Sequence, residues 1–189
     1  MFFTNAIVYK FKQQPDYKQS DFEAALAKDK ARACTNQDLS TFGWCPALGK
    51  HSDNLAHFSG SSILICAKKQ EKVLPPAVIN EMLAAKVDQI ELEEGRPVKK
   101  KEKDELKENL IHTLLPSALI KSTYTYAFIN VETGLIVVNT PSFNKSEEVL
   151  ALLRKSLGTL PVVPFFANND LDVFLTSTLT NLSAPEGFE

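Results

Sequence analysis

Residues 42–76 place an apolar run directly before a cluster of lysines, and this order constrains how the chain can fold. The run at residues 63–67, Ile-Leu-Ile-Cys-Ala, predicts a buried strand that pairs with residues 55–59 around a glycine turn. The strand is predicted to end at Lys68, Lys69 and Lys72, because the composition changes abruptly there. Lysines at the rim of a sheet are candidate contacts to a phosphate backbone. They are also typical of a solvated strand end that prevents aggregation, so both interpretations stay open.

A pair of helices is predicted between two groups of strands. Pro75 and Pro76 stop the first group and start a helix, since proline is favoured in the first helical turn. Apolar residues at helical spacing continue to Gly95-Arg96-Pro97, which breaks the pattern, and a second helix is predicted from about residue 100 to residue 115. Two helices joined by so short a break form an antiparallel hairpin. We expect this hairpin to protrude from the sheet.

Strands and one further helix are predicted after the hairpin. Residues 123–131 and 135–139 form two strands joined through Gly134, a helix then runs to a cap at Gly158, and residues 171–175 are a candidate final strand. The fold class is therefore α+β, a mostly antiparallel sheet with packed helices and an inserted, protruding helical hairpin. Three units are predicted: a central domain of residues 1–73 and 121–170, a hairpin tip of residues 74–120, and the start of a truncated C-terminal domain at residues 171–189.

The positive charge of the chain is concentrated in residues 96–107. A net charge of −2 argues against a generic nucleic-acid binder, since such domains are usually basic, but residues 96–107 contain six basic and three acidic side chains. Cations at a helix start oppose the helix dipole, which suggests a use in DNA binding; a merely solvated helix start is the alternative. Arg154 and Lys155 are weaker candidates, because the dipole favours cations in a last turn. The candidate DNA contacts of the hairpin are Lys99, Lys100, Lys101 and Lys103.

The sequence contains no evident catalytic or metal-binding motif. Cys45, His51, Asp53 and His57 lie close in sequence, but sequence neighbours rarely converge on the geometry of a catalytic triad, and the histidine spacing is not that of helical zinc ligands. A polar turn is the favoured interpretation. The cysteines form no CxxC pair, which indicates a reducing compartment. Phosphate-binding loops and GxSxG are also missing, so we expect no enzyme activity, no cofactor and no metal.

Four apolar residues bracket Pro116 at what is predicted to be the far end of the hairpin. These residues are Leu114, Leu115, Leu119 and Ile120. Contact within the hairpin would explain them, but a protruding tip has little core beneath it, and exposed apolar patches usually mark association sites. We therefore expect a surface for self-association there.

Four long segments, spread along the chain, carry a resemblance to a known family. They read GWCPALGKHSD, ILICAKKQEKVLPPAVI, ENLIHTLLPSA and LALLRKSLGTLPVVPF, and they resemble the RdgC family of bacterial recombination-associated DNA-binding proteins. The resemblance implies a non-enzymatic homodimeric ring around duplex DNA that restrains the RecA recombinase, with single-stranded DNA a further candidate ligand. It also implies a nucleoid-associated protein of the cytoplasm and a dimer contact through a bulky apolar residue at Leu119. Family members are longer, so the chain resembles an N-terminal fragment lacking roughly the last third.

A protein-interaction module that uses the hairpin tip without binding DNA is the alternative function. The two hypotheses differ in where the lysines point: DNA binding predicts that Lys68, Lys69, Lys72 and residues 99–103 share one concave face, and the interaction module predicts that they scatter. A third and weaker alternative, an enzyme that uses Cys45, requires this thiol to be exposed in a cleft beside His51 or His57. No apolar run approaches the roughly 20 residues that a membrane span needs, so we expect a cytoplasmic protein.

Overall fold

The computed structural model describes residues 3–165, 176 and 178–180, and seven antiparallel strands form one sheet in this part of the chain. The strand order is β2-β4-β5-β6-β1-β7, and β3 pairs with the same edge of β4 as β2 does. Helices α1 to α4 accompany this sheet in the described part of the chain, which confirms the predicted α+β class. In chain order the elements are β1 Ile7–Phe11, α1 Gln19–Ala27, β2 Ser40–Cys45, β3 Ala56–Ser59, β4 Ser62–Val73, α2 Pro76–Glu94, α3 Lys100–Leu114, β5 Leu119–Asn130, β6 Leu135–Val138, α4 Phe143–Leu157 and β7 Val162–Pro164.

Two long strands form the spine of the sheet. β4 and β5 pair over their whole length, from Ser62 opposite Asn130 to Val73 opposite Leu119. The predicted strand at residues 63–67 is confirmed, but its predicted end is wrong, because β4 continues for six residues beyond Ala67. β5 supplies backbone partners along that extension, so the lysines lie within a strand. Their side chains therefore alternate between the two faces of the sheet.

A glycine in β2 allows a second segment of the chain to approach closely. A Cβ on Gly43 would lie 2.7 Å from both the amide nitrogen of Ala31 and the carbonyl oxygen of Asp29. Trp44 donates its amide to that carbonyl at 2.9 Å and accepts from the Ala31 amide at 2.7 Å. Gly43 is extended, and it is glycine because another backbone lies where its side chain would be.

Helices α1 and α4 pack against one face of the sheet and close the hydrophobic core. Trp44 is fully buried there and donates its indole N–H to Ser156 of α4 at 2.9 Å. On β1, Tyr9 makes a 2.7 Å hydroxyl–hydroxyl hydrogen bond with Ser146, at the other end of α4. Buried polar groups in this core thus have partners, as stability requires. The core also includes Phe22, Leu26, Ile63, Ile65, Ile129, Ile136, Leu150 and Leu153.

The helical hairpin has buried residues of its own. α2 and α3 pack chiefly against each other, and Gly95 ends α2 in the left-handed conformation with φ of 63°. Its buried residues, Ile79, Val87, Val98, Leu110 and Leu115, lie outside the main core cluster.

The predicted placement of the four apolar residues at the far end of this hairpin is wrong. Its far end is the turn at residues 95–99, and Leu114, Leu115, Leu119 and Ile120 lie at its base, where α3 leads back into β5. Leu119 and Ile120 pair with Val73 and Lys72 of β4, and Leu115 is buried. The helix returns to the sheet, so the residues after it cannot be distal. The candidate strand at residues 171–175 lies outside the described residues, and the proposed division into three units stays a prediction.

Candidate nucleic-acid interface

The sheet has two unlike faces. Strand residues that share a side with Tyr9, Trp44 and Ile65 form the covered face, on which α1 and α4 pack. The alternate strand residues form the open face, which α1 and α4 leave uncovered. The open face consists of Val8, Lys10, Thr41, Gly43, Cys45, His57, Ser59, Ser62, Leu64, Cys66, Lys68, Gln70, Lys72, Ile120, Ser122, Tyr124, Tyr126, Phe128, Asn130, Leu135, Val137 and Val163.

The charged side chains of the open face are all lysines. Lys10, Lys68 and Lys72 are its only charged members among the described strand residues, and none of those residues on this face is aspartate or glutamate. The chain as a whole has a net charge of −2, so the composition of these strand positions differs from that of the whole sequence. Strand positions that carry lysines and no carboxylates are typical of a surface that attracts polyanions.

Aromatic rings lie beside these lysines. Tyr124, Tyr126 and Phe128 follow one another at alternate positions of β5, so all three lie on the open face. Tyr124 is 52% exposed, and Tyr126 and Phe128 are half-buried. The Lys68 ammonium lies 5.8 Å from the centroid of the Tyr124 ring, within the range of a cation–π interaction. Rings and cations on a flat surface can contact the bases and the phosphates of a nucleic acid.

Lys72 connects the open face to the base of the hairpin. Its ammonium donates to the carbonyl oxygen of Asn36 at 2.9 Å and to that of Leu115 at 2.5 Å. An ammonium has three N–H donors, so one remains for an outside group. Lys72 therefore holds the hairpin in place as well as adding positive charge to the face.

Lys69 lies on the covered face and is paired within the chain. Its ammonium is 3.1 Å from a carboxylate oxygen of Glu148 on α4 and 3.4 Å from one of Glu71. Burial opposes the charged form, but these two carboxylates outweigh it and raise the pKa of Lys69. Two acidic partners neutralise the cation, so Lys69 adds little field of its own.

The remaining predicted DNA contacts lie on two other elements. Lys99 precedes α3, while Lys100, Lys101 and Lys103 lie in its first turn, at the far end of the hairpin, and none of the four forms an ion pair with a described residue. On α4, the Lys155 ammonium lies 2.6 Å from Asp29. Hydrogen bonding from Lys155 lowers the pKa of Asp29 despite its partial burial. The structure thus distributes the nine predicted residues over β4, the start of α3 and the end of α4, and it brings only Lys68 and Lys72 together on the open face.

Sequence analysis missed Lys10 and the three aromatic rings. The signal was present in β5, where Ile120, Ser122, Tyr124, Tyr126 and Phe128 alternate with the residues of the covered face. Alternation with period 2 identifies one face of a strand, but it does not say which face the helices cover. Lys10 gave no signal, because its neighbours on the sheet come from distant parts of the chain.

The cysteine and histidine cluster does not form a catalytic cleft. Cys45 is only 8% exposed, and its thiol donates to the Cys66 carbonyl oxygen at 3.5 Å. A hydrogen bond with the Cys66 thiol lowers the pKa of Cys45. His51, Asp53 and His57 are exposed. An enzyme that uses Cys45 would need this thiol to be exposed in a cleft, and the buried Cys45 does not meet that requirement.

The described residues contain neither a candidate metal site nor a helix that could span a membrane. Within residues 3–165, 176 and 178–180, no group of three or more histidine, cysteine, aspartate or glutamate side chains could hold a metal ion. None of the helices in those residues combines the length and the apolar character needed to cross a bilayer.

Apolar side chains are exposed at the base of the hairpin. Leu119 is 79% exposed, and Val73, Val78 and Ile120 are also exposed. Val73 and Leu119 form the last pair of the β4–β5 ladder on the side of the covered face, beyond the part that the helices cover. Leu119 and Val73 are therefore an exposed apolar pair on one side of the sheet, Ile120 is exposed on the other side, and Leu115 is buried. Self-association through these residues stays a prediction.

Comparison with known proteins gives a consistent family assignment. The family model described as "Putative exonuclease, RdgC" matches residues 1–189. Proteins named "Recombination-associated protein RdgC" are 66% identical over 188 residues in Pseudoalteromonas translucida, 44% identical in Aeromonas hydrophila and 43% identical in Tolumonas auensis. Each alignment covers 100% of this chain and 62% of the relative, so the chain spans less than two thirds of the length of these curated relatives. One description names a nuclease and the other a role in recombination. The chain belongs to the RdgC family.

Proposed function

We propose that this chain is the DNA-binding part of a non-enzymatic, recombination-associated protein that contacts the DNA backbone without reading sequence. The observation that carries the proposal is the open face, where Lys10, Lys68 and Lys72 are the only charged residues among the strand positions that the structure describes. The relatives' name supports a role in recombination. Because the family model also names an exonuclease, the absence of catalysis is part of the proposal.

Binding would be electrostatic. Lysines that neutralise phosphates release condensed counterions, which gives an affinity that falls steeply with salt and allows the protein to slide along DNA. Phosphate contacts position a protein but carry no sequence information. A flat sheet face is also the wrong shape to enter a major groove, which admits a helix or a two-stranded ribbon. We therefore expect duplex binding with little sequence preference.

The assembled protein is proposed to be a homodimeric ring around duplex DNA in the nucleoid, which restrains RecA by occupying the DNA. The exposed apolar residues at the hairpin base would form one two-fold contact, with Leu119 and Val73 on one side of the sheet and Ile120 on the other. In a two-fold contact the same patch is buried on both copies. The part of the relatives that this chain does not span would supply the second contact, which a closed ring needs. Closure would add persistence on DNA without any base contact.

An interaction module that does not bind DNA is the second candidate, and two observations favour it. The predicted basic residues lie on three separate elements, and the hairpin base exposes apolar side chains. This candidate predicts that the protein has no salt-dependent affinity for DNA. The same measurement therefore decides between the two functions.

The deciding experiment is a salt titration with a labelled duplex of arbitrary sequence. Full-length protein should bind with an affinity that falls linearly on a log–log plot, by a slope of about 0.9 for each phosphate contacted. A flat plot would contradict DNA binding and support the interaction module. A preference above about a hundredfold for one sequence would contradict backbone binding, since a single good base contact contributes about 1–3 kcal/mol.

A lysine variant tests whether the hairpin takes part. Replacing Lys99, Lys100 and Lys101 with glutamine should reduce the salt slope by about one unit for each lost contact. The three side chains are exposed, so the melting temperature should be unchanged. Wild-type binding by this variant would show that these lysines are only solvated, and it would restrict the interface to the open face.

A further inference from the structure

We propose that the open face contains a base-stacking subsite for single-stranded DNA, in which unpaired bases lie on Tyr124, Tyr126 and Phe128. This inference rests on the DNA binding proposed above, and it adds a set of residues and a stacking contact that duplex binding does not use.

The spacing of the rings suits unpaired bases. The three rings occupy alternate positions of β5, so neighbouring rings are about 6.8 Å apart along the strand. Bases in one strand of a duplex repeat about every 3.4 Å and present only their edges in the grooves. Rings at twice that spacing fit a strand whose bases are spread apart and whose flat faces are free.

The surroundings of the rings supply an apolar support and a polar rim. Leu64 of β4 and Val137 of β6 pair with Phe128 from either side, and all three are half-buried. Towards the other end of β5, Gln70 donates its amide to the Ser122 hydroxyl at 3.2 Å. A flat apolar surface ending in groups that form hydrogen bonds can hold a base by its face and still leave its edge solvated.

Charge identifies the occupant as a polyanion. The Lys68 ammonium lies 5.8 Å from the centroid of the Tyr124 ring, so a base stacked on this ring would have its phosphate near a cation. An apolar face that docks a protein is depleted of lysine as well as of acidic residues, whereas this face has Lys10, Lys68 and Lys72. It has no acidic residue at its described strand positions, which is the complement of a phosphate backbone.

Stacking gives a prediction that distinguishes the subsite from the phosphate contacts. Base–aromatic stacking contributes about 1–3 kcal/mol per base on substitution by alanine, which is about fivefold to 150-fold in affinity. Tyr124→Ala should therefore weaken binding to a single-stranded oligonucleotide by that factor. Duplex affinity should change by less than about twofold, because paired bases have no free face, and Tyr124→Phe should bind as wild type does.

The experiment uses full-length protein and three labelled ligands of equal length: a single strand, its duplex, and a single strand without bases. Phe143→Ala is the matched control, since Phe143 is also an exposed aromatic residue but lies at the start of α4. Two results would overturn the stacking subsite and leave DNA binding intact. In the first, wild-type protein binds the single strand no more tightly than the abasic strand. In the second, Tyr124→Ala reduces the affinities for single strand and duplex equally, or reduces neither. If wild-type protein binds none of the three ligands, the proposed function and the subsite both fail.

A second measurement needs no variant and so does not depend on folding. A single strand containing bromouracil, irradiated on wild-type protein, should crosslink to Tyr124, Tyr126 or Phe128. Crosslinks confined to other aromatic residues, such as Phe143, would overturn the proposal.

Discussion

Neighbouring lysines have different surroundings on the covered and open faces of the sheet. Lys69, on the covered face, is held by Glu148 and Glu71, whereas Lys68, one residue earlier, lies beside Tyr124 on a face with no acidic residue at its described strand positions. The two side chains differ because successive residues of a strand point to opposite faces. A cluster of charges in a sequence is therefore not a cluster in space when it falls on a strand.

The two faces also differ in how completely their polar groups are paired. On the covered face, the Trp44 indole donates to Ser156, the Ser156 hydroxyl lies 2.8 Å from Asp29, and Asp29 pairs with Lys155. Such a network adds rigidity only when every member is satisfied. On the open face, the polar ends of Tyr124 and Lys10 reach solvent. We infer that the covered face determines stability and the open face determines binding.

The largest expected effect is on the stability of the covered face. Trp44→Ala should reduce the free energy of unfolding by about 3–5 kcal/mol, since it removes a fully buried indole and leaves a cavity. Tyr124→Ala, on the open face, should cost far less. Urea denaturation of both variants measures the difference, and equal losses would show that the open face is also part of a core.

The second prediction compares the two ends of the hairpin. Leu119→Asp should weaken self-association by roughly 1.5–3 kcal/mol for each leucine buried in the dimer, with little change in melting temperature. Leu92→Asp is the control, because Leu92 is 85% exposed and lies near the far end. Sedimentation of full-length protein reports the dimer. If Leu92→Asp dissociates the dimer and Leu119→Asp does not, the interface lies at the far end of the hairpin. If Leu119→Asp lowers the melting temperature but leaves the dimer intact, Leu119 packs within the monomer and not at an interface.

A smaller effect is expected from acid. The folded-state pKa of Asp29 is lowered from 3.8 by its hydrogen bond with Lys155. Its contribution is therefore fully present above about pH 4 and is lost as the pH falls through the lower folded pKa. Asp29→Asn should remove this contribution, about the 0.2–1 kcal/mol of an ion pair near the surface. Unfolding free energies of both proteins between pH 6 and about pH 2 should converge in acid, and parallel curves would contradict the assignment.

Patterns within one element predicted the fold well. The run at residues 63–67 predicted β4, Pro75 and Pro76 predicted the start of α2, and Gly134 predicted the turn between β5 and β6. These signals are local, since they depend on backbone conformation and on the period of apolar residues.

The parts of the candidate site that sequence could not predict depend on contacts between distant segments. Lys69 was assigned to DNA because Glu148, which neutralises it, is 79 residues away in the chain. The close approach at Gly43 could not be predicted, because the backbone that occupies the place of its side chain comes from residues 29–31. Leu119 was predicted at the far end of the hairpin, but it lies at the base. Its position depends on pairing with Val73, which is set by the register of β4 and β5 and not by a local sequence pattern.

The most direct test of the difference between the faces compares Lys68→Gln with Lys69→Gln. Both substitutions remove one positive charge at adjacent positions, so an effect of net charge alone would be the same for each. Salt titrations of duplex binding should show a slope reduced by about one unit for Lys68→Gln and unchanged for Lys69→Gln. Equal slopes for the two variants, or a loss confined to Lys69→Gln, would contradict the assignment of DNA binding to the open face.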